Sequence, residues 1–228
     1  MFVNVLDHGY VRLVDHMGGD LSIVRAARVS YDAAWRAGED EQSDHRLIHY
    51  LWKHQHTTPF EAVTLTFEVY APIFVFRQWH RHRTWSYNEL SARYKELPGD
   101  FYVPALPHIG EQSQVNKQGR ILSERDRRAE QQNYIDHCTR ALVLYRHFLE
   151  QNWPRELARC VLPVSVYSHM FGTVNLLNLF RFLTLRLDPH AQWEIRQYAE
   201  AMLTLATSVA PVAVGAFGHE LRNSLLGI

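Results

Sequence analysis

The stretch Arg81-His82-Arg83-Thr84-Trp85-Ser86-Tyr87-Asn88-Glu89-Leu90-Ser91-Ala92-Arg93 follows no helix or strand period. A buried strand alternates apolar and polar residues, and a surface helix mixes both charge signs. Here three arginines, a histidine, two serines, an asparagine and a single glutamate sit beside Trp85, Tyr87 and Leu90. Guanidinium groups bind phosphate oxygens in pairs, and hydroxyls fill the remaining acceptor sites. The stretch therefore reads as a grip for a phosphorylated ligand. Cations at a helix C-terminus would account for one or two of these charges, but not for Ser86, Asn88, Glu89, Ser91 and Arg93 that follow.

Working outward, Pro72 fits the first position of a helix running through Phe76 and Gln78 toward His82, which places the stretch at that helix's end. Trp85 to Leu90 reads as loop. Upstream, Val63 to Val69 alternates at period two and is the clearest strand. Phe2–Leu6 and Tyr10–Val14 read as short strands about the His8-Gly9 turn. Asp20 is a good N-cap for a helix carrying Leu21, Val24, Ala27 and Val29. A second helix is expected over 44–54, capped by Ser43, with Leu47, Tyr50 and Leu51 inward. Pro59 makes 56–61 a turn.

Downstream, residues 98–123 are rich in Pro, Gly, Gln and Ser and read as a long irregular excursion. Helices are expected over 123–150, 154–161, 175–186, 190–208 and 210–226, and a strand over 164–170. Helix dominates, with four to six strands. The pattern is an α+β chain: one helix-rich domain over 1–228 with a small mixed or antiparallel sheet.

Lys+Arg and Asp+Glu are 24 each in 228 residues, so the net charge is zero with His neutral. A general nucleic-acid binder carries a basic excess, because phosphate neutralisation dominates its affinity. The balance argues against that class and makes the local arginine cluster more notable. The 14 histidines are scattered, with no HExxH or HxH pair, and no metal site is expected. The start lacks a cationic segment followed by an apolar one, and no apolar run approaches the ~20 residues that span a bilayer. A cytoplasmic location without membrane attachment is expected.

No GxGxxG and no GxxxxGK[ST] occurs, so side chains must do much of any phosphate binding. Cys138 and Cys160 form no CxxC, which excludes a zinc ribbon and a disulfide scaffold. Cys138 lies in an amphipathic helix among His137 and Arg140, and Arg159 would lower the thiol pKa of its neighbour Cys160, yet Cys160 reads best as a small buried core residue. Arg186 reads by itself as a helix-terminal arginine before the Asp188-Pro189 break, paired with Asp188.

The stretch resembles the signature of the flavin-dependent thymidylate synthases: Arg-His-Arg, seven residues, then Ser, here Arg81-His82-Arg83, Thr84 to Leu90, and Ser91. The resemblance extends to His56-x-Thr58-Pro59-Phe60-Glu61, Ala71-Pro72-Ile73-Phe74-Val75, Arg77-Gln78-Trp79, Pro154-Arg155-Glu156-x-Ala158-Arg159 and Leu187-Asp188-Pro189-His190-Ala191-Gln192-Trp193-Glu194. It spans most of the chain, with 98–150 the least diagnostic part.

The resemblance implies that family's fold and its reaction. Deoxyuridine monophosphate (dUMP) is reductively methylated to dTMP, with 5,10-methylenetetrahydrofolate as carbon donor, reduced FAD as hydride donor and NADPH as reductant. No cysteine nucleophile is required. It implies that Gln78, Trp79, His80, Arg81, Glu89, Leu90, Ser91, Ala92, Arg93, Arg159 and Arg186 contact dUMP, with Ser91 and Arg93 near the phosphate. Arg186 is then the activating residue, a fixed cation beside the N3-ionised uracil edge. For FAD it implies Thr58, Arg81, His82, Arg83, Glu89, Asn175, Leu176, Leu177 and Arg181, with a further contact from His190. Asn175-Leu176-Leu177 lacks the polar residues often found after that Asn, and Arg181 stands where a neutral polar residue is common. The family assembles as a homotetramer with shared sites, and 171–183 is a candidate for buried or interface surface.

Two rival readings remain at this stage. One is a nucleic-acid-binding module using Trp79 and Trp85 as stacking platforms. The other is a diverged FAD-binding protein without the synthase reaction. Zero net charge and the ordered blocks elsewhere weigh against the first, and the intact signature against the second.

Overall fold

A computed structural model describes residues 1–115 and 117–226, the side chains of 222–226 excepted. The main sheet has five antiparallel strands in the order β1-β2-β3-β7-β4. They are β1 (Phe2–Val5), β2 (Gly9–Met17), β3 (Thr64–Pro72), β4 (Ser86–Glu89) and β7 (Tyr167–Asn175). A separate hairpin of β5 (Glu111–Gln112) and β6 (Arg120–Ile121) lies within the excursion, as does α4 (Leu106–Ile109). The other helices are α1 (Asp20–Arg28), α2 (Glu41–Lys53), α3 (Ile73–Trp79), α5 (Arg128–Glu150), α6 (Arg155–Ala158), α7 (Leu176–Arg186), α8 (Trp193–Thr207) and α9 (Pro211–Leu226). The chain is thus α+β, as its patterning predicts.

Strand β3 shows why the sheet has two different faces. Leu65, Phe67 and Val69 are wholly buried, whereas Thr66 and Glu68 between them stay half-buried. Successive side chains point to opposite faces, so one face packs under the helices. Each large apolar side chain buried there contributes about 1.5–3 kcal/mol. The other face is polar: Thr66 and Thr173 share a hydroxyl hydrogen bond at 3.0 Å, and Glu68 accepts from Tyr10 and pairs with Arg12.

Helix α7 is largely buried and bears on the site. Leu176, Leu177, Leu179, Phe180, Phe182 and Leu183 are all inside. Phe180 stacks on Phe217 at 4.5 Å and meets Trp52 edge-on at 5.1 Å, tying α7 to α9 and α2. The apolar stretch 171–183 is therefore mostly core, with Phe171 and Arg181 its exposed members.

Several local expectations are corrected by non-local contacts. Residues 86–89 are a strand and not loop, because β7 pairs with them from Ser86–Thr173 to Glu89–Met170. Gly19 and not Asp20 occupies the N-cap of α1; the Asp20 carboxylate instead accepts from Val212 N and Ala213 N, both at 2.9 Å, and so caps α9. Helix α2 starts at Glu41 under an Asp40 cap, and Ser43 supplies the capped N–H. Tyr50 faces outward at 52% exposure, while Ile48 takes the inward position. Pro72 ends β3 and caps α3, which starts at Ile73, one residue after the expected start, and ends at Trp79. Cys138 is buried, and Cys160, read as a buried core residue, is exposed.

Candidate active site

The stretch Arg81–Arg93 turns from the end of α3 into β4 and out again. Its fold is fixed by buried aromatics and one hydroxyl. Trp85 packs over Gly172 of β7 so closely that a Cβ on that glycine would sit 3.1 Å from the indole. A side chain there would push the ring outward by a few tenths of an ångström, so glycine is what allows this close approach. The Tyr87 hydroxyl donates to the carbonyls of His82 (2.8 Å) and Trp79 (3.0 Å), pinning the turn that carries Arg81, His82 and Arg83. Burial raises the Tyr87 pKa far above its usual value, so it stays a donor.

Arg186 reaches this turn from the last residue of α7. Its Nε donates to Nε2 of His82 at 3.0 Å, and its Nη2 donates to the Gln78 carbonyl at 3.1 Å. His82 must therefore be neutral, with its proton on Nδ1. Burial, then the Arg186 charge, lowers the His82 pKa to about 4. Burial, with Arg81 as the second cause, also lowers the pKa of Arg186, though a guanidinium stays charged. The Gln78 side chain donates to Gln192 at 2.6 Å, so α3 also grips the segment ahead of α8. The expected Arg186–Asp188 pair does not form. Asp188 instead accepts from His190, N and Nδ1, at 2.7 and 2.9 Å.

A second group of expected residues meets in a cavity of about 410 Å³. Glu89, Leu90 and Ala92 line it from the signature, and Arg159 lines it from the turn after α6. Arg77, Cys160 and Ser168 line it too, none of which the sequence reading placed near substrate. Arg77 was legible only as a member of the Arg77-Gln78-Trp79 block, with no role given to it, and Ser168 only as part of a strand. Arg93 lies beside this group with its Nε 3.2 Å from Glu156, and the Ser91 hydroxyl accepts from Arg93 N.

Other expected residues are placed differently. Trp79 is wholly buried, stacked on Phe182 at 5.0 Å, and Ala92, Leu176 and Leu177 are also buried. Any ligand contact at these four comes through the main chain or an exposed edge. His80 packs edge-on against Tyr87 at 4.9 Å. Asn175 caps α7: its Oδ1 accepts from the Asn178 backbone and side chain, both at 2.9 Å, leaving its amide N–H groups available. Arg181 donates to Asn178 at 3.1 Å. Thr58 opens on a different cavity, of about 700 Å³, lined also by Arg28, Tyr31, Tyr50 and His56. His190 lines a third, of about 600 Å³, with Arg120, Trp193 and Arg196.

Among the described residues no cluster of three or more His, Cys, Asp or Glu could hold a metal, and no helix is long and apolar enough to cross a membrane. The arrangement has instead the chemistry of anion binding. Arg81 and Arg83 are exposed, and their side chains make no hydrogen bond or ion pair among the described residues.

Comparison with known proteins agrees. The profile of the family described as Thy1, thymidylate synthase complementing protein, matches residues 12–212. A flavin-dependent thymidylate synthase of Thermotoga neapolitana is 46% identical over 95% of this chain and 94% of its own length. Another, of Thermus thermophilus, is 46% identical over 96% of this chain and 79% of its own. The crystal structure of a UMP/dUMP methylase, PolB, from Streptomyces cacaoi bound with 5-Br dUMP superposes with a TM-score of 0.84 at 38% identity, covering 95% of this chain and 97% of that one. A signature pinned by Tyr87, a far arginine brought onto it and a match along nearly the whole length place this chain in the flavin-dependent thymidylate synthase family.

Proposed function

We propose that the protein methylates dUMP to dTMP, with FAD as its cofactor, methylenetetrahydrofolate as carbon donor and NADPH as reductant. The observation that carries this reading is the attachment of Arg186 to the signature segment through His82 and the Gln78 carbonyl. Nε and one Nη2 hydrogen are used, so the remaining N–H groups of the guanidinium are free for a ligand. A half-buried cation held at two points costs little reorganisation when negative charge develops beside it. That suits the N3-ionised edge of a uracil.

The residues fit a flavin dinucleotide in donor chemistry. Arg81 and Arg83, exposed and uncommitted, suit its diphosphate, and the free amide of Asn175 suits a polar ring or ribose edge. When bound, the reduced flavin supplies the hydride, and the protein need only position, orient and neutralise. Glu89 offers an acceptor to sugar hydroxyls or a ring N–H. Neither thiol is equipped as the uracil nucleophile: Cys138 is wholly buried against Ser165, and the exposed Cys160 donates to the Glu156 carbonyl at 3.6 Å with no base on it.

The expected contacts are divided among three cavities, with Thr58 in one, Arg159 and Glu89 in another and His190 in the third. A site assembled between copies of the chain, as a homotetramer, would join them. Tyr31 and Trp35, 87% and 73% exposed, are aromatic surface for such contacts.

Tritium release from 5-labelled dUMP, dependent on FAD, methylenetetrahydrofolate and NADPH, tests the reaction. No release from a yellow, flavin-loaded preparation would leave a diverged flavoprotein. A colourless preparation that takes up no FAD would overturn the cofactor as well.

A further inference from the structure

We propose that Gln192 is a positioning residue of the nucleotide site: its side-chain carbonyl fixes the amide of Gln78 in one orientation. The inference rests on the function proposed above, in which Gln78 contacts dUMP.

Gln192 holds the N-cap position of α8, yet its side chain makes no capping hydrogen bond. A polar side chain at that position ordinarily accepts from the first free N–H groups of the helix. This one turns away. Its Oε1 accepts instead from Nε2 of Gln78 at 2.6 Å, across 114 positions of sequence. Gln192 is exposed, so burial does not force the contact.

A glutamine amide can rotate by half a turn with little change of shape, which exchanges its acceptor for its donors. The bond to Gln192 removes that freedom. One Nε2 hydrogen of Gln78 is committed, while Oε1 and the second Nε2 hydrogen make no hydrogen bond among the described residues. Gln78 therefore offers a ligand an acceptor and a donor in a fixed order, and a group already ordered loses less freedom on binding. The main-chain carbonyl of the same residue accepts from Arg186. One residue thus carries both the ordered amide and an anchor of the activating cation.

Gln192 is itself held from behind, because the excursion clasps the two residues that follow it. The His108 ring stacks on Trp193 at 3.9 Å, and the Arg120 guanidinium lies 5.8 Å from the same indole. Glu194, 2% exposed, accepts from Arg120 Nη2 at 2.9 Å and from the Tyr102 hydroxyl at 3.1 Å. Parting such a pair would leave a buried charge uncompensated, so the first turn of α8 is firmly set. The irregular segment 98–123 is in this way a brace behind the site.

Calorimetric titration of dUMP into the FAD-loaded protein tests the role, with Gln192→Leu, Gln192→Glu, Gln78→Ala and the Gln78→Ala/Gln192→Leu double variant. Thermal melts establish that each is folded; Gln192→Leu removes no capping bond. Leu keeps the bulk without an acceptor and should weaken dUMP binding roughly fivefold to tenfold, as the loss of one hydrogen bond does. Glu keeps an acceptor at the same reach and should retain most of the affinity. The double variant should bind no more weakly than Gln78→Ala alone, because the two side chains act as one unit. A merely structural role for Gln192 would weaken binding by the same factor with or without the Gln78 side chain, and that result would overturn the proposal. So would unchanged binding in Gln192→Leu, an equal loss for Leu and Glu, or no loss in Gln78→Ala. If the flavin-loaded wild type binds no dUMP, the nucleotide reading falls and this role with it. If the wild type binds dUMP and only the variants depart from these outcomes, the reading stands and the role alone falls.

Discussion

Arg186 Nε lies 3.0 Å from Nε2 of His82 and donates its hydrogen to it, so a residue at the end of α7 is locked to one 104 positions earlier in the signature. The bond works only while His82 is neutral. Protonation would set two donors face to face beside a second positive charge.

Replacing His82 by Ala should therefore mis-set Arg186. Turnover should fall about tenfold or more, the worth of one hydrogen bond to a charged group, while Gln at this position, which keeps an acceptor, should recover part of it. Steady-state kinetics read alongside bound-flavin content check this. Equal kinetics in the Ala and Gln variants at equal flavin loading would show that the acceptor is not what matters.

The same bond predicts a pH effect on stability. The His82 pKa is depressed in the fold to about 4, against 6.5 for an unperturbed imidazole, so between these values the unfolded chain binds the extra proton. Stability from this group is complete above pH 6.5 and is lost as pH falls toward 4. Tm measured from pH 7 to pH 4 should drop more steeply in the wild type than in His82→Gln. Parallel curves would contradict the assignment.

Arg186→Ala should abolish most turnover and leave FAD binding nearly intact, because Arg81 and Arg83 remain. Loss of flavin together with activity would make Arg186 a structural clamp and not the activating group.

Cys138→Ala combined with Cys160→Ala should keep measurable tritium release. Removing the buried Cys138 thiol costs about 1 kcal/mol of packing, so activity is to be compared below the variant's Tm. Complete loss with the fold intact would restore a thiol to the mechanism.

Asp20→Ala should destabilise α9 without touching the site. Two N–H groups lose their carboxylate, a cost of about 1–2 kcal/mol, or a few degrees in Tm for a chain of this size. Unchanged Tm would show that water replaces the cap.

The reach of sequence reasoning here follows the range of the forces involved. Val63 to Val69 and the long helices were legible because burial imposes a period on neighbouring residues. Ser86–Glu89 was not, since it is an edge strand whose pairing partners lie at 170–173 and whose own residues need no alternation. Asp20 looked like the cap of the helix it precedes in sequence, yet its carboxylate points to α9, packed beside α1 in space. Cys160 read as core from the apolar run around it, and the turn after α6 puts it on a cavity wall instead.

By itself the sequence determined the helix-rich α+β class and, through an ordered set of blocks, the family. Those properties are written in composition and spacing, which survive without coordinates. Tertiary structure alone decided which groups are committed and which are free. It bound Arg186 to His82 and not to Asp188, gave Arg93 to Glu156, and left Arg77 and Arg159 without an anion. Hydrogen bonds and ion pairs act over a few ångströms between residues that folding, not chain order, makes neighbours.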